Sequence, residues 1–288
     1  MGRANTVCEG EDDHVRRMPV KTAVALSVLL AALIVTACAI SEEGAMDGAM
    51  INGSMGRIYG VLQTPSGEGP WPLVILSHGF NGTHGGVMDY AAHFCAQGFA
   101  AYCYDFCGGS ANSKSEGSML DMSVLTEAED LDAVIDHFKA DGRFDGILLW
   151  GASQGGFVSA YVAARRPADV RAMVLEFPAF VIQDDARKRA NPDGSFAEQN
   201  TALGARIGRK YNEDAVSFDI YDVIGGYDGP VLILHGDRDG LVPISYSRRA
   251  AEVYASAEMV VMPGEGHGFM SKARDEAKQR ETAFFQAH

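Results

Sequence analysis

The chain has 288 residues, 47% of them hydrophobic and 22% charged, which suffices for one sizeable core and predicts a single catalytic domain. Its formal net charge is −14. With no cluster of Lys and Arg against that background, a nucleic-acid backbone would be repelled, and nucleic acid is excluded as the expected partner.

In chain order, the first feature is a compositional break. Ala23 to Ile40 is an almost unbroken apolar run preceded by Arg16, Arg17 and Lys21, the pattern of an export signal. Its end, Val35-Thr36-Ala37-Cys38, resembles the lipobox of bacterial lipoproteins, which implies a signal peptide over 1–37, cleavage before Cys38 and lipidation of that cysteine, with Met18 as a second candidate start. A lipid-bearing Cys38 would make the protein extracytoplasmic and membrane-anchored, since more than one acyl chain gives stable anchoring. Two alternatives stay open. The run is long enough, at about 1.5 Å per residue, to cross the hydrocarbon layer as an uncleaved anchor, and an ordinary signal peptide would release the protein. Residues 38–56, rich in Gly, Met and acidic side chains, read as a tether. Folded sequence is expected over 57–288. Of the five cysteines, Cys95 and Cys103 sit in apolar segments where cysteine more often packs than pairs, so no structural disulfide is expected.

From Arg57 onward, short apolar runs alternate with helical patterns. Leu73–Leu76, Phe99–Tyr104, Ile147–Trp150, Ala172–Leu175, Val231–Leu234 and Met259–Met262 read as buried strands of a mostly parallel sheet. Thr126-Glu127-Ala128-Glu129 reads as a capping box that opens a helix through Phe138. Helical patterns also cover Val87–Gln97, Gln154–Arg165, Ser245–Ala255 and Lys272–Gln286. The whole predicts a doubly wound α/β domain with helices on both faces. About fifty residues, 177–229, interrupt the alternation where a short connection would suffice, and such an insertion is usually a lid.

Four loops carry the chemistry. Gly151-Ala152-Ser153-Gln154-Gly155 lies between a strand and a helix, as a nucleophile elbow must. His78-Gly79-Phe80-Asn81-Gly82, at the end of an earlier strand, supplies backbone donors, so the N–H groups of Phe80 and Gln154 are the expected oxyanion hole. His78 itself is expected to shape that loop. His235-Gly236-Asp237-Arg238-Asp239-Gly240-Leu241-Val242-Pro243 offers two acids. Its spacing to Val-Pro resembles the acid-bearing loop of the superfamily described next, which implies Asp239 as the acid and Asp237 as a turn residue, with Glu176 at another strand end as the rival. Gly264-Glu265-Gly266-His267-Gly268-Phe269 would let His267 reach Ser153 and completes the order Ser, Asp, His. His84 is expected at most to line the cleft, and His93 and His137 to pack on helices.

From about Arg57 to the C-terminus the chain resembles bacterial cinnamoyl and feruloyl esterases of the α/β-hydrolase superfamily, on His78-Gly79-Phe80, the Ser153 pentapeptide and the Asp239 and His267 loops. The resemblance implies an α/β-hydrolase fold and a serine carboxylic ester hydrolase acting through an acyl-serine, on hydroxycinnamate or other small acyl esters. Acylglycerol hydrolases, aminopeptidases and acyltransferases share these motifs, and a lipid-anchored binding protein without turnover is the non-enzyme alternative. The insertion carries seven aromatic rings, of which Phe180 and Tyr211 are expected to contact substrate. Neither a metal-ligand cluster nor a phosphate-cradling loop is present in the sequence, so no metal and no cofactor are expected. The expected partner is a small-molecule ester, and the sequence leaves the oligomeric state open.

Overall fold

The computed structural model describes residues 38–43 and 51–288, with side chains from 51 onward. The expected signal segment 1–37 lies outside the described residues. Strands occur at β1 (Cys38–Glu43), β2 (Asn52–Gly53), β3 (Gly56–Arg57), β4 (Gly60–Pro65), β5 (Trp71–Ser77), β6 (Ala100–Tyr104), β7 (Phe144–Ala152), β8 (Val170–Glu176), β9 (Gln199–Ala202), β10 (Ala205–Gly208), β11 (Val231–Gly236) and β12 (Ala257–Met262). Helices occur at α1 (Met88–Ala96), α2 (Val124–Lys139), α3 (Gln154–Arg165), α4 (Ile182–Lys188), α5 (Arg209–Val216), α6 (Ile220–Ile224), α7 (Ser245–Val253) and α8 (Ser271–Ala287).

Eight strands form one sheet in the order β1-β4-β6-β5-β7-β8-β11-β12. From β6 to β12 every pairing is parallel, while β4 runs antiparallel to both β6 and β1. All six runs read as strands lie in this parallel part. Except in the edge strand β12, where Val261 is exposed, their residues are apolar on both faces because both faces are covered. Ile75, Tyr102, Leu149, Met173 and Ile233 belong to a core shared with α2, α3 and the insertion. The alternate residues Val74, Cys103, Leu148, Val174 and Leu232 pack with Tyr90 and Phe94 of α1 and Phe285 of α8. Burying each such aliphatic side chain contributes about 1.5–3 kcal/mol, so sheet and helices hold each other in register.

Three expectations need correction. The tether expected over 38–56 contributes Cys38–Glu43 as the edge strand β1, paired with β4 from Cys38 opposite Pro65 to Glu43 opposite Gly60. The free edge of β4 specifies this strand, and a segment with Ile40 as its only β-branched residue carries too little periodicity to announce it. Helix α2 begins earlier than expected: the cap is Ser123, whose side chain accepts from the Thr126 amide while the Thr126 side chain accepts from the Ser123 amide. Thr126 is therefore the third helical residue of the capping box rather than its cap. Finally, Cys95 is disulfide-bonded, whereas Cys103 and Cys107 are free and buried.

Between β8 and β11, where the lid was expected, lie α4, the β9–β10 hairpin, α5 and α6. Among the described residues, no helix is long and apolar enough to cross a membrane.

Candidate active site

Ser153 sits between the last residue of β7 and the first of α3, at φ 54° and ψ −119°. This is a left-handed conformation that costs a non-glycine residue about 1–3 kcal/mol, and the neighbouring glycines make it possible. A Cβ on Gly155 would lie 2.2 Å from the Ser77 carbonyl oxygen, and one on Gly151 would lie 2.5 Å from the Gly155 oxygen. The turn is held from outside by the Ser153 amide, which donates to Glu176 O at 3.0 Å, and by the Ala179 amide, which donates to Ser153 O at 2.8 Å.

The ends of two further strands bring the other two residues to this serine. His267 Nε2 is 2.9 Å from Ser153 Oγ, and His267 Nδ1 is 2.7 Å from Asp239 Oδ2. The second carboxylate oxygen accepts from the Leu241 and Val242 amides, both at 2.8 Å. Burial opposes a charge on Asp239, but hydrogen bonds from His235, His267 and the Val242 amide outweigh it and hold the carboxyl well below the usual range. A carboxylate can only accept, so Nδ1 of His267 carries the proton toward it. In the neutral ring, Nε2 is then left to accept from the Ser153 hydroxyl. Such a line can take a proton off a hydroxyl as it attacks and return it to a leaving group.

Asp237 stands apart from this line: it is exposed, and its carboxylate caps the turn through the Gly264 amide at 2.7 Å. Glu176 is buried against Tyr90, whose hydroxyl donates to it at 2.8 Å, and no hydrogen bond joins it to His267. Burial pushes its carboxyl up to about 7. Glu281 of α8 lies beside it, and burial together with the Glu176 charge raises Glu281 well above the usual range.

Two supports were not read from the sequence. His235, the fifth residue of β11, is fully buried, with Nε2 2.9 Å from Val242 O and 3.2 Å from Asp239 Oδ2, and Nδ1 2.7 Å from Ser247 Oγ. The carbonyl only accepts, so Nε2 donates, and the ring fixes the acid loop. Phe177, at φ 37°, places its ring 4.8 Å from that of His267 and 5.2 Å from that of Phe269. Its position directly after a strand was the available signal. Gly236 completes the approach: a Cβ there would lie 2.3 Å from Glu265 O, in the loop that carries His267.

The amides of Phe80 and Gln154 engage no partner among the described residues, the latter because it opens α3. Gly79 brings the first of these loops close, since a Cβ there would lie 3.2 Å from Ser153 Cβ. His78 shapes this loop, with Nδ1 2.8 Å from Gly79 O and Nε2 accepting from the Phe106 amide at 3.2 Å. His84 is bound to buried Asp105 at 2.7 Å.

Two cavities meet at Ser153. One, of about 330 Å3, runs between the Gly79–Phe80 loop, Tyr90, Trp150, Glu176, Phe177 and His267. The other, of about 230 Å3, lies under the insertion, between Gln154, Val181, Ile182, Arg189, Ala202 and Tyr211. Phe80, Leu203 and Leu241 border both. Tyr211 thus lines a cavity, but its hydroxyl is already committed to Gln154 Oε1 at 2.7 Å, and Gln154 Nε2 donates to Glu127 at 2.8 Å. Phe180 is a correction. It borders neither cavity and packs against Phe157 and Tyr221 at 6.1 and 5.8 Å, because the insertion needs a core of its own.

Comparison with known proteins bears on this geometry. A family model described as serine aminopeptidase S33 matches residues 69–205, and one described as TAP-like protein matches 219–287. Est1E from Butyrivibrio proteoclasticus, solved with ferulic acid bound, superposes with TM-score 0.74 at 24% identity over 83% of this chain and 98% of its own. The chain has the α/β-hydrolase fold. Among similar proteins, the monoacylglycerol lipase of Mycolicibacterium smegmatis is 25% identical, covering 73% of the chain and 86% of the lipase. An acetyltransferase component of the acetoin cleaving system of Pseudomonas putida is also 25% identical, over 77% of the chain, which spans only 65% of that relative.

Proposed function

We propose that the chain is a serine carboxylic ester hydrolase. The observation that carries this reading is the unbroken line Ser153 Oγ, His267 Nε2, His267 Nδ1, Asp239 Oδ2 at 2.9 and 2.7 Å beside two unengaged amides. Ser153 Oγ attacks the ester carbonyl while His267 takes its proton, and the amides of Phe80 and Gln154 bind the oxyanion, each worth about 2.7–4 kcal/mol. The proton passes to the departing alcohol. Water then attacks the acyl-Ser153, gives a proton to His267 and releases the acid, and His267 returns the proton to Ser153.

Compact acyl groups are the favoured substrates, hydroxycinnamates among them, because the lobe under the insertion, lined by Val181, Ile182 and Tyr211, holds only about 230 Å3. The test is kcat/KM for p-nitrophenyl acetate, methyl ferulate, a long-chain ester and an aminoacyl nitroanilide, for the wild type and Ser153→Ala. Short or aryl esters should lead and Ser153→Ala should lose them all. A dominant nitroanilide activity would replace the esterase reading by a peptidase one, for which the S33 model speaks. Export and lipid anchoring at Cys38 belong to the same proposal on the strength of the apolar run before it. A fatty-acid probe should label the wild type and not Cys38→Ala, and an unlabelled, soluble wild type contradicts the anchor.

A further inference from the structure

We infer that the lobe under the insertion is built for the anionic end of an ester, with Arg189 as the group that selects it. The inference rests on the ester-hydrolase reading of Ser153 and names the substrate class.

Arg189 follows the last residue of α4 and borders the same cavity as Ser153 and Gln154. Its Nε donates to Asn212 Oδ1 at 2.7 Å, and Asn212 is fully buried on α5. Its guanidinium carbon stands 5.9 Å from the centroid of the Tyr211 ring, and that ring is fixed from the other side through Gln154. A guanidinium held by one nitrogen and one face leaves its two terminal nitrogens as donors. The other charges around the two lobes are compensated: Lys188 pairs with Asp185 at 2.8 Å and Arg274 with Asp89 at 2.6 Å. Among the described residues no carboxylate pairs with Arg189. In a protein of net charge −14, a fixed cation without a counter-ion at the wall of the reactive cavity fits a ligand that brings the negative charge. The fork geometry suits a carboxylate, engaged by two parallel N–H donors.

The carboxylate can belong to the acyl or to the alcohol half of the ester, and the experiment separates the two. kcat/KM is measured by pH-stat for the p-nitrophenyl monoester of glutarate against p-nitrophenyl pentanoate, and for 4-acetoxybutanoate against butyl acetate. The wild type should prefer the anionic member of at least one pair. In Arg189→Gln the anionic-to-neutral ratio of that pair should fall at least about tenfold, the loss of one charge-assisted contact. Arg189→Lys should restore part of it, and added salt should narrow the wild-type ratio. Equal loss on both members assigns Arg189 a purely structural role and overturns the inference, as does a wild type that prefers the neutral member of both pairs. Failure of the ester-hydrolase reading looks different: no ester of either charge is turned over, or Ser153→Ala turns them over as the wild type does.

Discussion

The two walls that meet at Ser153 are made differently. On one side the reactive groups stand at the ends of β7 and β11, or in the loop after β12, and their neighbours are backbone: added Cβ atoms at Gly151, Gly155 and Gly236 would all lie within 2.5 Å of carbonyl oxygens. On the other side the insertion supplies short helices and a hairpin whose rings mostly pack on one another, with Tyr211 and Arg189 among the side chains that line the cavity. The difference teaches a division of labour. Close backbone packing fixes the placement of Ser153, Asp239 and His267, and on the proposed function the side chains of the insertion choose which ester is accepted.

The largest effect should come from the strand-end wall. Asp239→Asn leaves His267 in the wrong tautomer and should lower kcat by about 10⁴, whereas Asp237→Asn removes only a turn contact and should cost less than about tenfold. The reverse order would move the acid role to Asp237, and near-wild-type activity in both would move it to Glu176.

Each wall also rests on a buried carboxyl, Glu176 beneath the first lobe and Glu127 behind Gln154 and Tyr211 in the second. Burial raises them to about 7 and about 8. The folded state therefore keeps protons that the unfolded chain releases above about 4.5. Stability from these groups is fully present below that pH and is lost as pH rises toward 7 and 8, by about 2 kcal/mol or more. Urea midpoints between pH 5 and 8 should fall, and Glu127→Gln should flatten the slope. A midpoint that rises over this window would contradict the buried, proton-holding state of both carboxyls.

The smallest effect on activity should mark the insertion wall. Tyr211→Phe removes the hydroxyl bond to Gln154 and should cost about 1 kcal/mol, mostly in KM. Phe180→Ala should lower the unfolding free energy by about 3–5 kcal/mol while leaving the order of ester preference intact. A changed preference in Phe180→Ala would mean that the insertion core and the cavity are coupled after all.

The same division decides how much was legible in the sequence. The parallel strands announce themselves because residues such as Val74 and Ile75 are buried on opposite faces, so the run is apolar throughout. Ser153, Asp239 and His267 were legible for a related reason: each needs glycine close by to let backbones approach, and glycines beside a strand end are visible in one dimension. The edge strand β1 was not, since its partner β4 specifies it. His235 was hidden as one more residue of a buried strand, and its role depends on the fold of the loop that follows. Phe180 and Tyr211 look alike in sequence, and only three-dimensional packing sends one ring into the core of the insertion and the other to the cavity.

The most direct test of the account is the site of covalent modification. The purified protein is treated with a fluorophosphonate and digested, and the adduct is located by mass spectrometry, in the wild type and in Asp239→Asn. The account predicts one adduct on Ser153, formed rapidly in the wild type and far more slowly in the variant. An unmodified wild type, or an adduct on any other serine, would contradict it.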